Sequence, residues 1–145
     1  LVKPGGIELD GLKIDISKIK TPAYFLSTVQ DHIAKWKTTY TGALLHSGDV
    51  KFVLSGSGHI AGVVNPPAQE KYGYWTNSKL PEDSGEWFKG AQQNKGSWWN
   101  DWKDWSLQYA GEQIDARVPG DQGLSVIEDA PGSYVKLRIA DAIKD

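Results

Sequence analysis

The chain holds three histidines and eighteen carboxylates but no cysteine. Acid–base chemistry is therefore open to it, and thiol chemistry on its own residues is not. Two polar residues stand where such chemistry needs them. Asp31 follows the apolar run Ala23-Tyr24-Phe25-Leu26-Ser27, and His59 follows Val50-Lys51-Phe52-Val53-Leu54. If both runs are neighbouring parallel strands, about 4.8 Å apart, their following loops emerge at one edge of the sheet. Catalytic groups of open α/β sheets gather at that edge. Asp31 could then hold one imidazole nitrogen of His59 and leave the other as a general base, the orienting half of a nucleophile–His–Asp triad. The plainer readings stay open: Asp31 as a helix N-cap and His59 as an ordinary loop residue.

Other candidates fit less well. His46 and Asp49 precede the second strand, which puts them at the opposite edge, and His46 suits a cation near a helix C-terminus. His32 lies at the right edge but beside Asp31, and reads as supporting or structural. Gly56-Ser57-Gly58-His59-Ile60-Ala61 matches a relaxed dinucleotide pattern, yet Asn65-Pro66-Pro67 cuts short the helix that motif requires. No Gly-x-Ser-x-Gly elbow is present, and the histidines lack metal-ligand spacing.

The elements that must position Asp31 and His59 follow from patterning. Asp10-Gly11 between alternating runs predicts a hairpin over 7–16. The run at 23–27 and Val50–Leu54 read as buried strands. A helix is expected from Ile33 to Leu45, with Ile33, Trp36, Tyr40 and Leu44 on one stripe. Strand, helix, strand makes a βαβ unit with parallel strands and a right-handed crossover. Two such strands and a hairpin do not complete a sheet, so partner strands are expected from elsewhere. Residues 68–83 look irregular. A short helix is expected from Gly85 to Asn94, capped by Asp83 or Ser84, and a second from Trp98 to Ala110. Tyr134 to Ile139 is a candidate last strand. Four regions result: an opening hairpin (1–20), the βαβ unit with the Asp and His loops (21–65), a Trp-rich loop and helical segment (66–111), and a polar tail (112–145).

Seven tryptophans are the compositional oddity, five of them between Trp87 and Trp105. Trp98, Trp102, Trp105 and Tyr109 at helical spacing favour burial against the sheet over display as a binding platform. A formal charge of −2 gives no field to steer the chain to nucleic acid, and no apolar run approaches the roughly 20 residues of a transmembrane segment. No signal peptide is visible. With Leu1 first and no methionine, the chain reads as processed or cut from something longer.

Around these residues the sequence resembles the polyhydroxyalkanoate synthases, most closely class I. Gln30-Asp31-His32-Ile33-Ala34-Lys35-Trp36 is similar to their EDHIxPW segment, with Gln30 and Lys35 as departures. Ser57 to Pro67 (SGHIAGVVNPP) is similar to their SGHIAGVINPP segment. Tyr74-Trp75-Thr76-Asn77, Gly96-Ser97-Trp98-Trp99 with Trp102, and Ala130 to Lys136 extend the likeness over nearly the whole chain, most weakly at 112–128. The resemblance implies the C-terminal part of an α/β-hydrolase catalytic domain that polymerises (R)-3-hydroxyacyl-CoA into polyester with release of CoA. It implies a Cys-His-Asp triad with His59 as base and Asp31 as acid, the cysteine lying upstream, so that this chain alone is expected to be inactive. No resident cofactor or metal is implied, CoA being part of the substrate and a product. The implied partners are 3-hydroxyacyl-CoA, the growing polyester, the polyester granule surface and, in the intact protein, a second subunit; the implied location is the cytoplasm. Two rivals stand beside this reading: a related thioesterase or esterase in which the pair serves a serine, and a non-catalytic aromatic binding module.

Overall fold

A computed structural model of the chain describes residues 2–118, 120 and 123–143. The described chain falls into two compact units divided between Ala110 and Gly111.

The first unit opens with the expected hairpin: β1 (Ile7–Leu9) pairs antiparallel with β2 (Leu12–Ile14). Asp10 and Gly11 both take positive φ, 47° and 75°, as a two-residue turn matched to strand twist requires. After it come β3 (Ala23–Thr28), α1 (Trp36–Ala43) and β4 (Val50–Ser55). β3 and β4 pair in parallel, with Thr28 opposite Ser55 at their shared C-terminal end. The βαβ unit is as the patterning predicts.

Strand neighbours from elsewhere are not the whole answer, because the chain supplies two of its own. β5 (Tyr74–Thr76) runs antiparallel to β4, and β6 (Gln92–Asn94) antiparallel to β5, giving the order β3-β4-β5-β6. β5 lies within the stretch read as irregular, and three residues are too few to show a period. The expected helix over 85–94 is α3 (Ser84–Lys89), capped by Asp83, whose Oδ1 accepts the Glu86 amide at 2.9 Å. Gly90 ends it, and the rest of that stretch is β6. α4 (Trp98–Leu107) starts where predicted and stops short of Ala110.

Alternation along the central strands divides the packing between two faces. Phe25, Phe52 and Leu54 meet α1 and α3 in an apolar core with Tyr40, Ala43, Trp36 and Trp87. Tyr40 and Trp87 each approach the Phe52 ring at 5.0 Å centroid distance, nearly perpendicular, the favoured edge-to-face geometry. Tyr24 and Lys51 alternate with these residues and belong to the other face, under α4. There Asp101 accepts both the Tyr24 hydroxyl (2.9 Å) and Lys51 Nζ (2.7 Å). Burial, then the nearby Asp101 charge and its hydrogen bond, hold the Tyr24 phenol far above its ordinary pKa, so it remains a donor. Trp98 and Trp105 pack on Tyr24. Burial of the tryptophan stripe is thus partial: Trp98 is buried and Trp105 half-buried, whereas Trp102 and Tyr109 are exposed.

The second unit has no strand among its described residues. Tyr134–Lys136, a candidate strand by pattern, is a turn of 3-10 helix, followed by α5 (Ile139–Ala142). A six-residue strand needs a partner to satisfy its backbone, and no strand is present in this unit among the described residues.

Candidate active site

The site begins with the ladder. Beyond the last β3–β4 pair the two chains stay bonded: Val29 N donates to Ser55 O (2.9 Å) and Gln30 N to Ser57 O (3.0 Å). These bonds carry the two loops out side by side. Asp31 Oδ2 and His59 Nδ1 then meet at 2.7 Å. Asp31 and His59 thus share one edge of the sheet and pair there, as the sequence leads one to expect.

Asp31 is not the N-cap of α1, a position held by Lys35 with no side-chain cap bond; its second oxygen closes a turn ahead of the helix. Its Oδ1 accepts the amides of Ile33 (2.8 Å) and Ala34 (2.9 Å), and the helix is delayed as a result. Because those amides turn back to Asp31, α1 begins at Trp36, and Ile33, expected on the buried stripe, lies outside the helix and exposed. The plain reading of Asp31 as helix N-cap is thus corrected to a local turn, with one oxygen bonding that turn and the other His59.

The carboxyl side chain is 7% exposed, while the imidazole is 47% exposed. The hydrogen bond from His59 draws the Asp31 pKa below the ordinary carboxylate value against the opposing effect of burial, and the Ala34 and Ile33 amides add to it. An ionised carboxylate only accepts, so Nδ1 must carry the proton in this bond. The neutral ring then has a free lone pair at Nε2. An imidazole held this way can take a proton from a hydroxyl or thiol and return it to a leaving group.

The remaining polar candidates separate as expected. Asp49, at the opposite edge, accepts the Tyr109 hydroxyl at 3.0 Å. His46 sits just beyond the C-terminal end of α1, where the sequence places it, and its ring packs perpendicular to that of Phe25 at 5.0 Å. His32 is exposed and borders, with Asp31, Lys35 and Trp36, a cavity of about 450 Å³ beside the pair. Among the described residues no group of acidic, histidine or cysteine side chains could hold a metal.

Gly56 and Gly62 lie within motifs read from the sequence, but the motifs do not reveal their part in fixing the His59 loop. Gly56 donates its amide to Gly73 O at 2.9 Å, and a Cβ on it would stand 2.3 Å from the Tyr72 carbonyl oxygen. Inside α2 (Ala61–Val64), a Cβ on Gly62 would stand 2.2 Å from Gly56 O and 2.7 Å from Thr28 Cγ2. The buried Ser55 hydroxyl donates to Gly62 O at 2.8 Å. These contacts fold the loop back on the strand end. Two glycines a few residues either side of a histidine are the signal a sequence offers for such a fold-back.

Comparison with known proteins decides the family. No family model matches. The chain is 45% identical over 130 residues to the poly(3-hydroxyalkanoate) polymerase subunit PhaC of Rhizobium etli, covering 90% of this chain. It is 41% identical over 136 residues to the PhaC subunit of Cupriavidus necator, covering 93%. Poly(3-hydroxyalkanoate) polymerase 2 of Ectopseudomonas oleovorans is 37% identical over 139 residues. The chain belongs, as a segment, to the poly(3-hydroxyalkanoate) polymerase family. It spans 20% of the Rhizobium etli polymerase and 23% of the Cupriavidus necator one.

Proposed function

We propose that the intact protein polymerises (R)-3-hydroxyacyl groups from CoA thioesters into polyester, releasing CoA, with His59 as general base and Asp31 as the carboxylate that orients it. The observation that carries this reading is the 2.7 Å Asp31–His59 contact at the carboxyl edge of a parallel strand pair, in a chain whose relatives are named as polymerases. Those names favour it over an esterase and over a non-catalytic aromatic module. The parallel β3–β4 pair, with both loops at one edge, is what the C-terminal part of an α/β-hydrolase domain would contain.

This chain has no cysteine, so the nucleophile of the proposed triad is a thiol outside it, and the chain alone turns nothing over. His59 Nε2 takes the thiol proton and the thiolate attacks the thioester carbonyl. CoA leaves with a proton returned from the imidazole, and an acyl-enzyme remains. The 3-hydroxyl of an incoming 3-hydroxyacyl-CoA then loses its proton to the same nitrogen and attacks the acyl-enzyme carbonyl; the enzyme thioester breaks, the departing cysteine sulfur takes the proton back from the imidazolium, and the chain is longer by one ester. Asp31 stabilises the imidazolium at each step without itself taking the proton. No cofactor enters this scheme, since CoA arrives with the substrate. Granule association, a cytoplasmic location and pairing of intact subunits belong to the same proposal. No helix among the described residues is long and apolar enough to cross a membrane.

The test is chain growth by the full-length protein. His59→Ala should lower CoA release from 3-hydroxybutyryl-CoA by about 10²- to 10⁴-fold, the usual contribution of a positioned acid–base group, and Asp31→Ala should fall in the same range. Polymer yield near the unsubstituted level in both variants would contradict the assignment.

A further inference from the structure

α2 is a single helical turn that starts two residues after His59, and its own sequence leaves its end unsatisfied. A helical carbonyl is met by the amide four residues on. For Gly62 and Val63 that residue is Pro66 and Pro67, neither of which has an N–H. The last helical bond of this turn is Asn65 N to Ala61 O, at 3.1 Å. Four consecutive carbonyls, from Gly62 to Asn65, therefore need donors from elsewhere.

The Ser55 hydroxyl meets Gly62 O at 2.8 Å; three consecutive residues at the start of α4 supply the other three and a second bond to Gly62 O. Trp98 Nε1 lies 3.1 Å from both Gly62 O and Val63 O. Trp99 Nε1 donates to Val64 O at 3.0 Å, and the buried Ser97 hydroxyl donates to Asn65 O at 2.6 Å. The two indoles stack at 4.5 Å centroid distance, which fixes one against the other. Trp98 is 6% exposed and packs on Tyr24 of β3, so the donor group is tied to the strand that leads to Asp31. Ring burial alone would be served by phenylalanine; the aim of both indole N–H groups at the carbonyls of one turn would not.

We infer that Trp98 and Trp99 are positioning residues for His59, acting through their indole N–H groups as the missing cap of α2. The inference rests on the proposed role of His59. The Asn-Pro-Pro that ends the histidine segment and the Ser-Trp-Trp that opens α4 form one device: the first removes amide donors and the second replaces them. The indoles touch neither substrate nor the reacting atoms in this account, and they act by holding the His59 backbone in register with Asp31.

The full-length protein tests it, assayed by CoA release from 3-hydroxybutyryl-CoA with thermal unfolding alongside. Trp98→Phe combined with Trp99→Phe removes both N–H groups and keeps two rings. Replacing Trp98 by 3-benzothienylalanine keeps the bicyclic shape and removes only the N–H. The expected result is about a tenfold lower kcat in each, since small misplacement of a catalytic group has effects of this order or larger. KM should stay within about twofold, the signature of an interaction that matters to the chemical step more than to binding. The benzothienyl variant, which fills the same space, should melt near the parent. Unchanged kcat in it and in the double variant, with His59→Ala inactive, overturns this inference alone. Full chain growth by His59→Ala would overturn the proposed function and the inference with it.

Discussion

The two loops at the carboxyl edge are held in opposite ways. The Asp31 loop holds itself: one carboxylate oxygen gathers the amides of Ile33 and Ala34, two and three residues on. The His59 loop is held by groups outside it, most of them far off in sequence. Ser55 and Thr28 come from the ends of β4 and β3, Tyr72 and Gly73 precede β5, and Ser97 to Trp99 open α4. One loop is a local turn and the other is a tertiary assembly. The difference suits their proposed tasks: the acid needs a fixed carboxylate, while the base needs one nitrogen bonded and the other left toward a partner.

The contrast is sharpest at the glycines. Gly62→Ala should destabilise the chain by about 1–3 kcal/mol or more, because the added methyl meets the Gly56 carbonyl at 2.2 Å with little room to yield. Gly58→Ala, one residue from His59, should change stability by less than about 0.5 kcal/mol, since its Cβ would meet only Gln30 O at 3.9 Å. Urea unfolding of the two variants checks the pair. Equal losses would mean that the loop is not packed as described.

A subtler break separates the loops by pH. With its pKa held below the ordinary carboxylate value, Asp31 contributes stability that is fully present above its unfolded pKa. That contribution is lost as pH falls through the lower, folded value. Ordering of 31–34 should therefore survive acidification through the range where an ordinary aspartate protonates, and loosen only below it. Carbon-13 NMR of the Asp31 carboxyl, followed with the Ile33 and Ala34 amides, reads this. Titration at or above the ordinary value would break the link between the turn and the His59 bond.

The local loop is also the one the sequence made legible. A parallel pair was readable from two apolar runs and an intervening helix, and that topology alone puts Asp31 and His59 at one edge. The turn at Asp10-Gly11, the Asp83 cap and the start of α4 were equally readable, because each depends on residues within one or two turns. The delayed start of α1 was not, since Asp31 could satisfy either helical amides or its own turn. β5 and β6 escaped because three-residue strands acquire meaning only from their neighbours. The tryptophans were read as apolar bulk, and two of them prove to be donors as well. Apolar periodicity reports which face of a helix is buried and says nothing of where an indole N–H points. The absence of amides at Pro66 and Pro67 was the available clue to that need.

The central claim is that Asp31 holds His59 with Nδ1 protonated and Nε2 free to act as base. Nitrogen-15 spectra of histidine-labelled protein, recorded at a pH where His59 is neutral, test it most directly. A protonated, pyrrole-type Nδ1 and an unprotonated, pyridine-type Nε2 are expected for His59, with loss of that preference in Asp31→Ala. A pyridine-type Nδ1 with the proton on Nε2 would contradict it.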